Sequence, residues 1–218
     1  QDIVDQARRD LPENVFKELY EAEAGDDEGN PFGLKAIESC VAPLSLAPPL
    51  VFGWDLAKSV DYVSGVALDT DGVVCRSVED HRWQGPWDTT KQRIRAATGG
   101  TYAVVDSTGV GDPVLADLQK GAGNFEGYKF TGPSKQQLME GLTAAIQQRE
   151  IRFPDGVLRH ELEAFEYEYT KTGVRYSAPE GMHDDTVCAL ALAVYGWRQR
   201  SGIGVAPIGI SQTSYWRQ

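Results

Sequence analysis

Residues 50–83 read "LVFGWDLAKSVDYVSGVALDTDGVVCRSVEDHRW", and their reading decides the fold. "VFGWDLA" (51–57) is a short β-prone run. "YVSGVALD" (62–69) and "VVCRSVED" (73–80) flank "TDG", a compact turn signal. The three runs predict an antiparallel meander. One residue breaks the apolar pattern of the first strand. With a period of two, Asp55 shares a face with Gly53 and Val51, opposite Phe52 and Trp54. A carboxylate among packed apolar groups is costly unless it is hydrogen-bonded, paired or bound to metal.

Downstream, helices and strands alternate. "DTTKQRIRAAT" (88–98) predicts a helix capped by Asp88 or a following Thr, with Ile94 and Ala97 inward. "TYAVVD" (101–106) is a continuous apolar run, the pattern of a strand covered on both faces, and it ends on Asp106. A second helix starts at Asp112-Pro113. "GYKF" (127–130) predicts a short strand. "SKQQLMEGLTAAIQQRE" (134–150) predicts a helix, with Ser134 and Gln137 as capping box and Leu138, Leu142 and Ile146 on one stripe. "IRF" (151–153) is a strand fragment. "LRHELEAFEYEY" (158–169) begins helical, ends in β alternation, and turns through "TKTG" into "VRYSA", a hairpin. "GMHDDTVCALALA" (181–193) opens with Asp184 and Asp185 and continues as a core helix. A meander followed by strand–helix alternation predicts an α/β fold, a mixed sheet flanked by helices.

The chain has 218 residues and a net charge of −11. Residues 1–50 hold 11 acids and 4 bases, and the remainder 21 acids and 17 bases. No strong basic stripe is visible, which weighs against unaided nucleic-acid binding. No apolar run approaches the roughly 20 residues of a membrane span. Cys40, Cys75 and Cys188 form no CxxC or zinc spacing and read as free thiols. Composition divides the chain near Pro49. Residues 1–50 carry helical stretches on both sides of Pro12, a polar turn and the proline-rich "VAPLSLAPP". Residues 51–200 read as the main domain, and residues 201–218 as a weakly patterned tail.

The acids suggest chemistry. Asp55 sits inside the first strand run, Asp106 ends another, and Asp184 and Asp185 open a helix. Capping accounts for one acid of that pair better than for two. Convergence of Asp55, Asp106 and the helix pair on a divalent ion accounts for all of them. Mg²⁺ favours oxygen ligands and keeps several waters. Two ions about 4 Å apart can clamp an in-line phosphodiester displacement. The alternative leaves Asp106 capping a loop, Asp184 capping the helix and Asp55 in a local hydrogen bond. "DSTGVGD" (106–112) is Gly-rich between a strand and a helix, but it lacks the lysine of a phosphate loop and reads as a tight turn passing close to the site. His81, His160 and His183 form no metal pair at helical spacing. Arg149, Arg152, Arg159, Lys171 and Arg175, interleaved with Glu161, Glu163, Glu166 and Glu168, read as a solvated face.

"FGWDLAKSVDYV" (52–63), "YAVVDSTGVGDPV" (102–114) and "HDDTVCALALA" (183–193), in this order, resemble the nuclease domain of the large terminase subunit of tailed bacteriophages. The resemblance covers about residues 51–200 and implies an RNase H-like fold. It further implies a divalent-metal-dependent endonuclease that cleaves double-stranded concatemeric viral DNA, using Mg²⁺ or Mn²⁺, two ions when DNA is bound. By this resemblance Asp55, Asp106, Asp184 and Asp185 are the metal ligands, with Asp55, Asp106 and Asp185 catalytic. Asp185 is favoured as the direct ligand, and Asp184 as second ligand or cap. Asp61 takes an outer or water-mediated place, and His183, which precedes the acid pair, reads as either an outer group of the site or a surface residue. Lys58, Lys171 and Arg175 are the candidate DNA contacts, and the Thr170–Gly173 hairpin lies near the cleft. The glutamate that RNase H carries on its first helix has no counterpart in "DTTKQRIRAAT". "LPENVFKELYEAEAGDDEGNPFG" resembles the end of the packaging ATPase domain, and residues 1–50 are expected to be its remnant and a linker. Portal, small terminase subunit and other large-subunit copies are the implied partners, in the host cytoplasm. The isolated domain is expected to be a monomer without membrane contact. A structure-selective junction resolvase and a non-catalytic DNA-clamp or motor-assembly module remain the alternatives.

Overall fold

The structure, a computed structural model, describes residues 29–56, 62–109, 111–170 and 173–201. Five strands form one mixed sheet in the order β3-β2-β1-β4-β5. They are β1 (Val51–Asp55), β2 (Val63–Leu68), β3 (Arg82–Trp83), β4 (Tyr102–Asp106) and β5 (Phe125–Tyr128). β1 pairs antiparallel with β2, and β2 with β3, whereas β1–β4 and β4–β5 are parallel. The helices are α1 (Leu34–Ser39), α2 (Trp87–Thr98), α3 (Gly111–Gln119), α4 (Gly132–Gln147), α5 (Val157–Ala164) and α6 (Asp185–Arg200). β6 (Glu166–Thr170) and β7 (Gly173–Ser177) make a separate hairpin, with β7 against α4. This is the mixed α/β sheet that the meander and the alternation predict.

Alternation along β1 divides the core in two. Phe52 and Trp54 face one cluster with Ile94 of α2 and Val114 and Leu118 of α3. The buried Trp54 indole finds its hydrogen-bond acceptor in Thr98 Oγ1 at 2.9 Å. Val51 belongs to the cluster on the other face, with α4, α5 and α6. α6 is buried from Asp185 through Val194 on every side. A helix apolar all round must be covered all round, and here β1, β2 and β4 lie beneath it while α4 and α5 pack against it.

Contact between α6 and β1 is unusually close. A Cβ placed on Gly53 would lie 2.1 Å from the Ala189 carbonyl oxygen and 2.3 Å from the Ala193 nitrogen. One on Gly196 would lie 2.8 Å from Cγ2 of both Val51 and Val104. These contacts show that α6 runs antiparallel to β1, with Gly196 over Val51 and Ala189–Ala193 over Gly53. From Val51 to Asp55 is about 13 Å of strand. About nine helical residues match that length, so the start of α6 comes level with Asp55.

Several local expectations differ from what forms. The third strand of the meander is not 73–80. Val73–Cys75 makes only brief backbone pairing with the end of β2 before Val74 turns to Arg152, and the strand completing the meander is Arg82–Trp83. β5 lies two residues before "GYKF". The box on α4 is Thr131 with Ser134, not Ser134 with Gln137. The expected side-chain cap on α2 is absent, since Pro86 occupies that position. Residues 30–42 are part of the core and not a tether. Phe32, Ile37 and Cys40 are fully buried. Asn30 Nδ2 donates to the Leu162 carbonyl at 2.8 Å, and Cys40 and Ala42 bond with Phe153 through the backbone. Their apolar residues are too few for a periodicity to show in sequence. The helices expected around Pro12, and the tail beyond Ser201, lie outside the described residues.

Replacing Gly53 by alanine is expected to push α6 off the sheet, because the obstructing atoms are backbone. The cost is about 3 kcal/mol, the upper end for overpacking. A urea unfolding midpoint unchanged in Gly53→Ala would contradict this packing.

Candidate metal centre

Asp55 and Asp106 end neighbouring parallel strands. The register Gly53↔Val104 and Trp54↔Val105 makes them the next pair on the ladder, on the face covered by α6. Adjacent strands lie about 4.8 Å apart, so two carboxylates stand side by side at the C-terminal edge of the sheet. α6 brings the other two acids to the same edge, since its packing on Gly53 sets its N-terminus there.

The electrostatics record this convergence. Asp55 keeps some accessible surface but is ringed by protein. Desolvation first, then the charges of Asp106, Asp184 and Asp185, push its pKa well above the usual carboxylate range, against the opposing pull of Lys135. The three acids that raise it are those the sequence singles out. Asp106 is buried, and its Oδ1 accepts the Thr108 N–H at 2.8 Å, an Asx turn that starts the Gly-rich loop. That loop returns close to the strand end: a Cβ on Gly111 would lie 2.3 Å from the Asp106 carbonyl oxygen. The tight-turn reading of "DSTGVGD" therefore describes its geometry, and Asp106 holds the turn while facing the site.

The acid pair divides differently from expectation. Asp184 occupies the N-cap position of α6, but its side chain makes no capping hydrogen bond. Its carboxylate instead reaches Lys135 Nζ on α4, 3.2 Å from Oδ2. Burial works against the Lys135 ammonium, and Cys188, the charge and hydrogen bond of Asp184, and Asp55 outweigh it, holding its pKa above the ordinary lysine value. Asp185 is buried, with Oδ2 3.6 Å from Arg82 Nη2 and 3.6 Å from His183 Nδ1. Asp184, more than Asp185, raises the pKa of Asp55.

Capping of α6 falls to Glu161 on α5. Its Oε2 accepts the Thr186 N–H at 2.8 Å and the Thr186 hydroxyl at 2.5 Å, and its Oε1 accepts from Arg82 Nη2 at 3.0 Å. Glu161 is 7% exposed, so it does not belong to a solvated face. Arg82 lies over the Tyr62 ring, 4.0 Å from its centroid, and Tyr62 meets His183 edge-on. Lys135, Glu161 and Arg82 are the residues that sequence reasoning missed. Each reaches the site from a distant element, and none carries a local signal beyond being charged on an otherwise apolar helix face or strand. Lys58, Asp61 and Lys171 lie outside the described residues. Arg175 is exposed on β7, and Arg159 is paired with Glu163 and Asp155.

Among the described residues, no three His, Cys, Asp or Glu stand close enough to hold an ion by themselves. Carboxylates gathered at the sheet edge still fit a hard cation that retains waters and takes oxygens from its substrate. The crowding of negative charge around Asp55 is the feature such a cation would relieve.

A mixed sheet sandwiched by helices, with carboxylates at the ends of two central parallel strands and at a helix start, defines a class of α/β domain with an acidic edge site. The Terminase RNaseH-like domain family model matches residues 52–195, and the chain belongs to this family. The large terminase subunit of Thermus virus P23-45 is 31% identical over 159 residues, which are 69% of this chain and 32% of that protein. That of Thermus phage G20c is 30% identical over the same shares. The chain thus spans about a third of the length of these curated relatives. The large terminase nuclease of phage G20c, solved alone and with bound magnesium, superposes with a TM-score of 0.65 at 23% identity, over 77% of this chain and 98% or 97% of those structures. The fold is therefore RNase H-like.

The raised Asp55 pKa has a testable sign. The folded chain holds this proton above the pH at which the unfolded chain loses it, so Asp55 subtracts stability as pH rises from the ordinary carboxylate value through the raised one. Without metal, Asp55→Asn is expected to raise the melting temperature at pH 7 by a few degrees, and to give no gain at pH 3. A melting temperature unchanged or lowered at pH 7 would contradict the crowding.

Proposed function

We propose that this chain is the nuclease domain of a DNA-packaging large terminase subunit, a divalent-metal-dependent endonuclease that hydrolyses phosphodiester bonds of double-stranded, concatemeric viral DNA. One observation carries the reading: the Asp55 carboxylate stands next to Asp106 and within the field of Asp184 and Asp185, with Lys135 as the nearby cation. Membership of the terminase family supports it.

On this reading Asp55, Asp106, Asp184 and Asp185 hold Mg²⁺ or Mn²⁺, with two ions when DNA is bound. The ions would supply positive charge that draws in a phosphate, polarises it and acidifies a water beside it. The chain's own residues do the positioning. Asp55 and Asp106 are short side chains on rigid strand ends, which confines the negative charge to one place. Asp185 is held on the Arg82 side of the site. Lys135 offsets repulsion among the carboxylates through Asp184. Arg175, with Lys58 and Lys171, is assigned to DNA contact, where each cation that neutralises a phosphate adds salt-dependent affinity. In the full-length protein, the portal, the small terminase subunit and further large-subunit copies are the proposed partners, and the isolated domain is proposed to be monomeric.

Plasmid cleavage in Mn²⁺ tests the reading. Asp55→Ala, Asp106→Ala and Asp185→Ala are each expected to lower the rate by about 100-fold or more, the upper range for disturbing a metal site. Four-way junctions should be cut no faster than linear duplex. Cleavage by wild type and all three variants at one rate would sink it.

A further inference from the structure

Arg82 stands between two carboxylates and is not shared equally. Its Nη2 is 3.0 Å from Glu161 Oε1 and 3.6 Å from Asp185 Oδ2. Glu161 is well placed to hold it. Its other oxygen is anchored by the backbone and hydroxyl of Thr186, in the first turn of α6. α5, which carries Glu161, packs against α6. The Tyr62 ring beneath the guanidinium further limits where Arg82 can go. Burial raises the Glu161 pKa above the ordinary glutamate value, against the opposing pull of the Thr186 bonds and Arg82.

A buried guanidinium with one acidic neighbour would close on it as a bidentate pair. Here the second carboxylate competes for the same guanidinium. We propose that Glu161 is a positioning residue that competes with Asp185 for Arg82, weakening the Arg82–Asp185 ion pair against which a divalent cation at Asp185 would have to bind, while Thr186 fixes the start of α6. The inference rests on the functional reading above, because it takes Asp185 to face the metal. Glu161 itself touches neither substrate nor ion, and acts through Arg82 and the first turn of α6.

The sign of the effect separates this role from simple structural support. Glu161→Gln keeps an oxygen for Thr186 but removes the charge that competes for Arg82. Its Mn²⁺ affinity, measured by titration calorimetry without DNA, is expected to fall about tenfold, within the range seen when a group supporting a metal ligand is changed. The kcat for plasmid cleavage should fall with it, while KM for DNA is unchanged. Arg82→Gln removes the competitor and is expected to bind Mn²⁺ at least as tightly as wild type. The double variant Glu161→Gln/Arg82→Gln should recover affinity relative to Glu161→Gln alone. A merely structural role would weaken all three variants in line with their melting temperatures. Should Glu161→Gln not fold, Arg82→Gln carries the test, and weaker Mn²⁺ binding by it overturns the proposal. Unchanged affinity in a folded Glu161→Gln, or no recovery in the double variant, also overturns it. Wild type that neither binds Mn²⁺ nor cuts DNA would overturn the functional reading and this inference together. Wild type that does both, with variants that fail these expectations, overturns this inference alone.

Discussion

The contact of α6 with β1 at Gly53 is the constraint on which the rest depends. Backbone meets backbone there, with the Ala189 carbonyl and the Ala193 nitrogen occupying the space a side chain would need. A helix packed through side chains can slide or rotate as they change rotamer. One seated on a glycine has little such freedom, because packed interiors lack spare volume. The helix is thereby fixed along β1, and its first residues are delivered to the strand end that carries Asp55. The small residues of α6 thus determine where the acids stand, although they touch none of the chemistry.

Crowding carboxylates in this way opposes folding. Burial and three like charges act on Asp55. The fold offsets this with groups recruited from elsewhere. Lys135 comes from α4 to Asp184, and Arg82 from β3 to Glu161 and Asp185. Both pairs are part-buried, so Lys135 orients Asp184 and Glu161 orients Arg82 more than either pair adds to net stability. The residual imbalance around Asp55 is an excess of negative charge, which supports the proposed cation site. Glu161 shows a further economy, since one carboxylate both caps α6 and holds Arg82.

Much of the architecture was legible because it depends on local signals. A short β-prone run identified β1, and the run before the compact TDG turn identified β2. A continuous apolar run identified β4, and helical stripes identified α4 and α6. Errors fell where a long-range partner decides the outcome. Val73–Cys75 stays paired with the end of β2 at a single bridge, its other edge bonded to Arg152, and the two residues Arg82–Trp83, too short for any pattern, take the edge position. Phe32, Ile37 and Cys40 look like part of a polar lead-in until α4 and α5 cover them.

Sequence alone singled out which carboxylates interrupt apolar elements, and the structure added that β1 stops at Asp55. Asp55 and Asp106 break apolar strands, and Asp184 and Asp185 break the start of an apolar helix, so each is visible without knowing its neighbours. It could not determine how the helix pair divides, since adjacent residues on a first turn differ only in which way they point. Tertiary structure decided that Asp184 turns to Lys135 and Asp185 to Arg82, and that Thr186 is capped by Glu161, a residue 25 positions away. The physical reason is that a charge's partner in a packed interior is chosen by proximity in space. That proximity is set by the seating of α6 on Gly53 and of α4 and α5 on α6, and no periodicity in the chain encodes it.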